Sequence, residues 1–220
     1  MGTKDPGTEI RPGAEDVIVR PNEIAFDVDG VVADTFRVFV ETARRDFGCD
    51  FSYEDITEYD FRTVIDIDEA VAQAIVQRIL EDPIGCGIEP IPGAVDVLTR
   101  LSTRAPLLFV TARPDEKAIR EWILRHLPGV DRDRVHVEAT GTGEKKQSVL
   151  VDHGVTHFVE DCLETGFLLQ SLPVTPIIFD QPWNRKPHPF PVVRSWRQLA
   201  GMVFPQSDIR TEASKTDGVV

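Results

Sequence analysis

The chain has 220 residues, a net charge of -13 and an isoelectric point near 4.8, with 41% hydrophobic and 28% charged residues. That length and balance describe one globular domain with room for a small insertion. The acidic charge excludes a nucleic-acid polymer as general partner, because such binding needs a basic face. A small phosphorylated substrate stays compatible with it, since a metal and a few local cations can reverse the field at one site.

Cys49, Cys86 and Cys162 are odd in number and widely spaced, which predicts free thiols rather than a disulfide framework or a CxxC metal site. Free thiols fit a reducing cytoplasm. No apolar run is long enough to span a bilayer, and the N-terminus lacks the apolar stretch of a signal peptide. The expectation is a cytoplasmic protein with no membrane partner. The five histidines form no spaced cluster and are assigned no metal.

Residues 1–15 are rich in Gly, Pro and charge and read as a loose tail. Short apolar runs then follow at 24–28, 107–111, 135–138, 157–160 and 176–179, each the length of a buried strand. Helical periodicity lies between them at 93–103, 115–126, 145–153 and 163–171. Strands alternating with helices of this length predict a doubly wound parallel α/β sheet, Rossmann-like, with helices on both faces. The core is expected to comprise 16–34 and 91–205, and 206–220 to form a second tail.

One region breaks the rhythm. Residues 35–90 show no convincing strand, but 35–47 and 68–80 read as helical, with a Ser-x-x-Asp capping pattern from Ser52 to Asp55 between them. They are read as a small helical insertion. It contains Phe36, Phe39, Phe47, Phe51, Tyr53, Tyr59 and Phe61, seven of the seventeen aromatic residues. Those side chains either fill the insertion's own core or line a pocket facing the sheet.

In such sheets ligands bind beyond the carboxyl ends of the strands. The first strand ends in DVDG, with Asp27 and Asp29; the second in TAR, with Thr111, Ala112 and Arg113. A helix after the third begins with Lys145 and Lys146, and the fourth strand ends in Glu160 and Asp161. Acid, hydroxyl, cation and acid thus converge on one edge. An EF-hand reading of DVDG fails, because the glycine comes too early and a strand precedes it. Asp34 reads as a cap for the following helix or a hydrogen-bond acceptor behind the site. Arg113 reads equally as a phosphate contact or as part of a surface turn with Pro114 starting a helix.

The order of these motifs resembles the haloacid dehalogenase superfamily of phosphatases: an apolar strand followed by Asp-x-Asp-Gly, then a strand ending in Thr, a lysine at a helix start and an acidic pair. The resemblance implies that Asp27 is the nucleophile, passing through an aspartyl-phosphate. It implies that Asp29 is the general acid and base. Mg²⁺ would be held by Asp27, the Asp29 carbonyl and Asp161, with Glu160 acting through a metal-held water. Thr111 would bind a phosphate oxygen, and a lysine would neutralise charge. Lys146 is preferred over Lys145, because Val149 and Leu150 would bury its helix face.

After the fifth strand, IIFDQPWNRKPH places Trp183 and Asn184 on the same edge. The stretch is either a proline-rigid loop with Trp183 packed on the sheet, or a substrate-binding element with Asn184. It resembles the 5'(3')-deoxyribonucleotidase-like branch, which also carries a small helical cap where 35–90 lies. That implies nucleoside monophosphates as substrates. A sugar-phosphate phosphatase, a phosphotransferase and a non-catalytic phosphate-binding module stay open.

Overall fold

The computed structural model describes residues 18–204. The expected tails at 1–15 and 206–220 lie outside them. Six strands form one sheet: β1 (Ile24–Phe26), β2 (Leu107–Thr111), β3 (Val135–Ala139), β4 (His157–Glu160), β5 (Thr175–Phe179) and β6 (Val192–Val193). Their order is β3-β2-β1-β4-β5-β6, and every pairing is parallel. β1 therefore sits centrally, with a change of winding direction beside it. Five strands were expected; the sixth is too short to leave a pattern. No helix of the described residues is long and apolar enough to cross a membrane.

Alternation along the strands sorts side chains to two faces. Phe26, Phe109, Val137, Val159 and Ile177 join the larger core. That face is covered by α3 (Ala94–Ser102), α4 (Lys117–His126) and α7 (Trp196–Val203). Ala25, Leu108, Val110 and Phe158 point the other way, toward α5 (Lys146–Asp152) and α6 (Leu163–Leu169). α7 was not expected. The signal is there in Ser195, whose hydroxyl accepts from Gln198 N–H, followed by Trp196, Leu199, Met202 and Val203 at helical spacing.

Residues 35–90 hold α1 (Thr35–Phe47), α2 (Glu69–Glu81) and two single 3-10 turns. The chain leaves and re-enters the sheet at one place. Asp34 N–H donates to Glu89 O (3.0 Å) and Ile91 N–H to Val32 O (2.7 Å). Two indoles brace that junction from the core: Trp122 donates to Ile88 O and Trp196 to Val31 O, both at 2.8 Å. Asp55 accepts from the backbone and hydroxyl of Ser52, both at 2.7 Å. Asp34 occupies the N-cap of α1 but makes no side-chain cap bond; its carboxylate pairs with Arg37 instead, at 2.5 Å. Phe39 and Phe51 pack into the core, Phe47 is exposed, and Phe36 faces the site.

Candidate active site

β1 stops at Phe26, earlier than its apolar run, so Asp27 is the first residue past the strand. Its N–H still donates to Val159 O (2.8 Å), which fixes its direction. The next turn is tight: Val28 O accepts from Val32 and Ala33 N–H, both at 2.8 Å. Gly30 takes φ +74 there, a conformation costly for any side chain.

Lys146 opens α5 and is buried, whereas Lys145 is exposed. The Lys146 ammonium lies 2.8 Å from Asp27 Oδ2 and 2.9 Å from Glu160 Oε2. The same Glu160 accepts from the N–H groups of Asp161 and Cys162 through Oε1 (both 3.1 Å). Burial would push Glu160 up, but Lys146 holds it below its usual range. Burial would also lower Lys146, and the two carboxylates override it.

Asp27 and Asp161 behave oppositely to Glu160. Burial lifts Asp27 well above the carboxylate range, against Lys146, with Glu160 and Asp29 adding to the rise. Burial, then the charges of Glu160 and Asp27, lifts Asp161 in the same direction. Oxygens of Asp27, Glu160 and Asp161 lie within 4.8 Å of one another. Asp161 Oδ1 is buried and has no hydrogen-bond partner among the described residues. Three buried carboxylates thus face one ammonium, and an all-oxygen set of this kind suits a hard divalent cation.

Asp29 points the other way. Arg113 grips it with two bonds, Nε to Oδ2 (2.9 Å) and Nη2 to Oδ1 (2.8 Å), and the Thr35 hydroxyl adds a third at 2.5 Å. Burial would raise Asp29, but the Arg113 charge and these bonds hold it below its usual value. Arg113 is buried, which corrects the surface-turn reading; only Pro114, Asp115 and Glu116 of that turn are exposed. Nor does Pro114 start the helix, since α4 begins at Lys117, whose N–H is accepted by Asp115. The third Arg113 nitrogen reaches Ile79 O of α2 (3.3 Å). Arg113 therefore joins a sheet-edge carboxylate to the insertion.

Thr111 is buried at the end of β2, its Oγ1 accepting from Arg113 N–H (3.3 Å). Ala112 lines two cavities. One, of about 290 Å³, holds Lys146, Cys162 and Thr165; the other, of about 260 Å³, lies between Asp29 and the aromatic rings of Phe36, Tyr59 and Phe61. Tyr59 lines both. Burial pushes the Cys162 thiol up, so it stays neutral.

Asn184 does not face either cavity. Its amide donates to Asp161 O and Phe179 O (both 2.8 Å), and its oxygen accepts from Gln181 N–H (3.1 Å). These bonds occupy it as a brace for the loop, which corrects its expected place at the substrate. Trp183, the next residue back, donates to Asp161 Oδ2 (3.1 Å). Nothing in the sequence distinguishes that bond from ordinary packing.

The family model described as "5' nucleotidase, deoxy (Pyrimidine), cytosolic type C protein" matches residues 20–208. The chain belongs to this nucleotidase family. A Halalkalibacterium halodurans protein described as a "putative nucleotidase" is 25% identical over 179 residues, covering 80% of this chain and 88% of that one. Two solved structures share the fold. A "putative beta-phosphoglucomutase" from Bacteroides vulgatus has TM-score 0.53 at 16% identity, covering 89% of this chain and 90% of that one. A haloacid dehalogenase-like hydrolase from Streptococcus pneumoniae has TM-score 0.53 at 14% identity, covering 80% of this chain and 95% of that one. The nucleotidase thus has the α/β fold of a haloacid dehalogenase-like hydrolase, the fold its motif order implied.

Proposed function

We propose that this nucleotidase hydrolyses nucleoside monophosphates through an aspartyl-phosphate on Asp27, with Mg²⁺ as cofactor. The observation that carries the reading is the buried set of Asp27, Glu160 and Asp161 around Lys146, with Asp161 Oδ1 left unpartnered. Asp27, Asp161 and the Asp29 carbonyl would hold the cation. Glu160 gives both carboxylate oxygens to Lys146 and the backbone, so any part it takes runs through water. When bound, the cation balances charge on Asp27 and the phosphoryl oxygens.

An Asp27 oxygen bonds to phosphorus, and the bond to the leaving oxygen breaks. Asp29 gives that oxygen its proton. Asp29 then takes a proton from water, whose oxygen bonds to phosphorus and displaces the Asp27 carboxylate, giving inorganic phosphate. Lys146 stays charged throughout and orients Asp27. Thr111 hydrogen-bonds a non-transferring oxygen. In the conformation seen here Arg113 and Thr35 hold Asp29 ionised, the state of the base in the second step. Donation in the first step requires Arg113 to loosen its grip.

Residues 35–90 act as a cap over core segments 16–34 and 91–205 in this reading. The rings of Phe36, Tyr59 and Phe61 beside Asp29 offer faces on which a planar base stacks. A cytoplasmic setting is supported by the family's cytosolic description and by three free cysteines. The test is a hydrolysis screen over ribo- and deoxyribonucleoside monophosphates and sugar phosphates, with Mg²⁺ and with excess chelator. Nucleotide turnover that chelation stops and Mg²⁺ restores is expected. Undiminished turnover in chelator would remove the metal, and a preference for sugar phosphates would remove the nucleotide assignment.

A further inference from the structure

The short turn after β5 touches both the cluster of carboxylates and the helical insertion. Trp183 is almost fully buried, at 2% exposure. Its indole N–H donates to Asp161 Oδ2 (3.1 Å), while Oδ1 of the same carboxylate is buried and left unpartnered, and one oxygen of this side chain lies within 4.8 Å of oxygens of Asp27 and Glu160. A carboxylate pinned through one oxygen cannot turn freely, and the unpartnered Oδ1 keeps its capacity to take a cation. The backbone is pinned as well, through Asn184 Nδ2 to Asp161 O (2.8 Å). Gly30 closes the packing. A Cβ there would fall 2.1 Å from Asp161 Oδ2 and 3.2 Å from the Trp183 ring.

The other side of the indole faces the insertion. Phe36 lies against it with centroids 4.2 Å apart, and the Tyr53 ring meets it edge-on at 5.7 Å. Tyr53 also donates to Gln181 Oε1 (2.7 Å), and Gln181 Nε2 to Gly30 O (2.6 Å). One turn therefore links insertion, nucleophile loop and carboxylate.

We propose that Trp183 is a positioning residue for the divalent cation: its N–H sets the Asp161 carboxylate for binding, and its ring couples that carboxylate to the seating of residues 35–90. The inference rests on the metal assignment above. Groups behind metal ligands commonly contribute about 10–100-fold in affinity.

The test is calorimetric titration of the full-length chain with Mg²⁺ alone, comparing wild type with Trp183→Phe, which keeps a ring against Phe36 and Tyr53 but removes the donor. The expected result is a Kd weaker by about 10–100-fold, with kcat recovered at high Mg²⁺. Recovery separates a weakened site from a damaged fold. In wild type, the same titration should shift indole emission at the calorimetric Kd. The other tryptophans, Trp122 and Trp196, donate to backbone carbonyls of Ile88 and Val31 rather than to the carboxylates. Phe36→Leu, which leaves the donor but loosens the stack, should weaken Mg²⁺ by a smaller factor. Equal Kd in wild type and Trp183→Phe, or wild-type emission blind to Mg²⁺, would overturn the proposal. A wild type that binds no Mg²⁺ would overturn the metal assignment with it.

Discussion

The carboxyl edge of the sheet and the helical insertion beside it are built on opposite principles. At the edge the side chains are charged, buried and tied to neighbours. Lys146 spans Asp27 and Glu160, and Arg113 grips Asp29. In the insertion, apart from Thr35 at its start, the side chains facing the cavity are rings and aliphatics, including Phe36, Phe61, Val76 and Leu80. Polar groups such as Arg62, Glu69 and Gln73 border a wider adjoining space of about 460 Å³. A cross-linked polar edge fixes where a phosphoryl group and its charge are held. An apolar wall cannot do that, but it can exclude water and select what the phosphate is attached to. Chemistry and selection thus sit on different segments of one chain, and substitutions should separate them.

The largest separation is expected at the edge. Asp29→Asn should slow kcat by about 10²–10⁴-fold, the usual effect of losing a general acid or base, with KM little changed. A near-normal kcat would remove Asp29 from that role. Lys146→Ala strands two buried carboxylates and should cost about 3–5 kcal/mol in denaturant unfolding, the scale for breaking a buried pair. Activity should fall with it. Phe61→Ala, in the insertion, should act mainly on KM for nucleotides, leaving turnover of a small substrate such as phenyl phosphate nearly unchanged. A kcat collapse for both substrates would break the division between edge and insertion. Lys145→Ala is the smallest effect. Its side chain is exposed, so stability should stay within about 0.5 kcal/mol of wild type and turnover should be unaltered.

The edge was far more legible in sequence than the insertion or the last turn. Asp27, Thr111, Lys146 and Asp161 stand at the ends of short apolar runs or at a helix start, so periodicity alone sets them in phase. Lys146 could be told from Lys145 because a helix presents one residue per turn to a given face. Arg113 was ambiguous because a Pro-Asp-Glu turn surrounds it, and only a three-dimensional neighbour, Asp29, turns it inward. Asn184 has the chemistry to meet a substrate, yet the carbonyls of Asp161 and Phe179 claim it. α7 follows the proline-rich stretch from Pro182 to Pro191 and is only eight residues long, so its amphipathic spacing spans only about two turns. The partition of the aromatic residues was invisible, since whether a ring fills a core or walls a cavity depends on packing between distant segments.

The central claim is covalent catalysis by Asp27. The most direct measurement is acid quenching of the enzyme during turnover, followed by peptide mass spectrometry and borohydride trapping. A phosphoryl adduct on the peptide carrying Asp27, absent from Asp27→Asn and enriched in Asp29→Asn if dephosphorylation slows more than phosphorylation, is the predicted result. Full hydrolytic activity in a correctly folded Asp27→Asn variant, with no adduct at any turnover state, would contradict it.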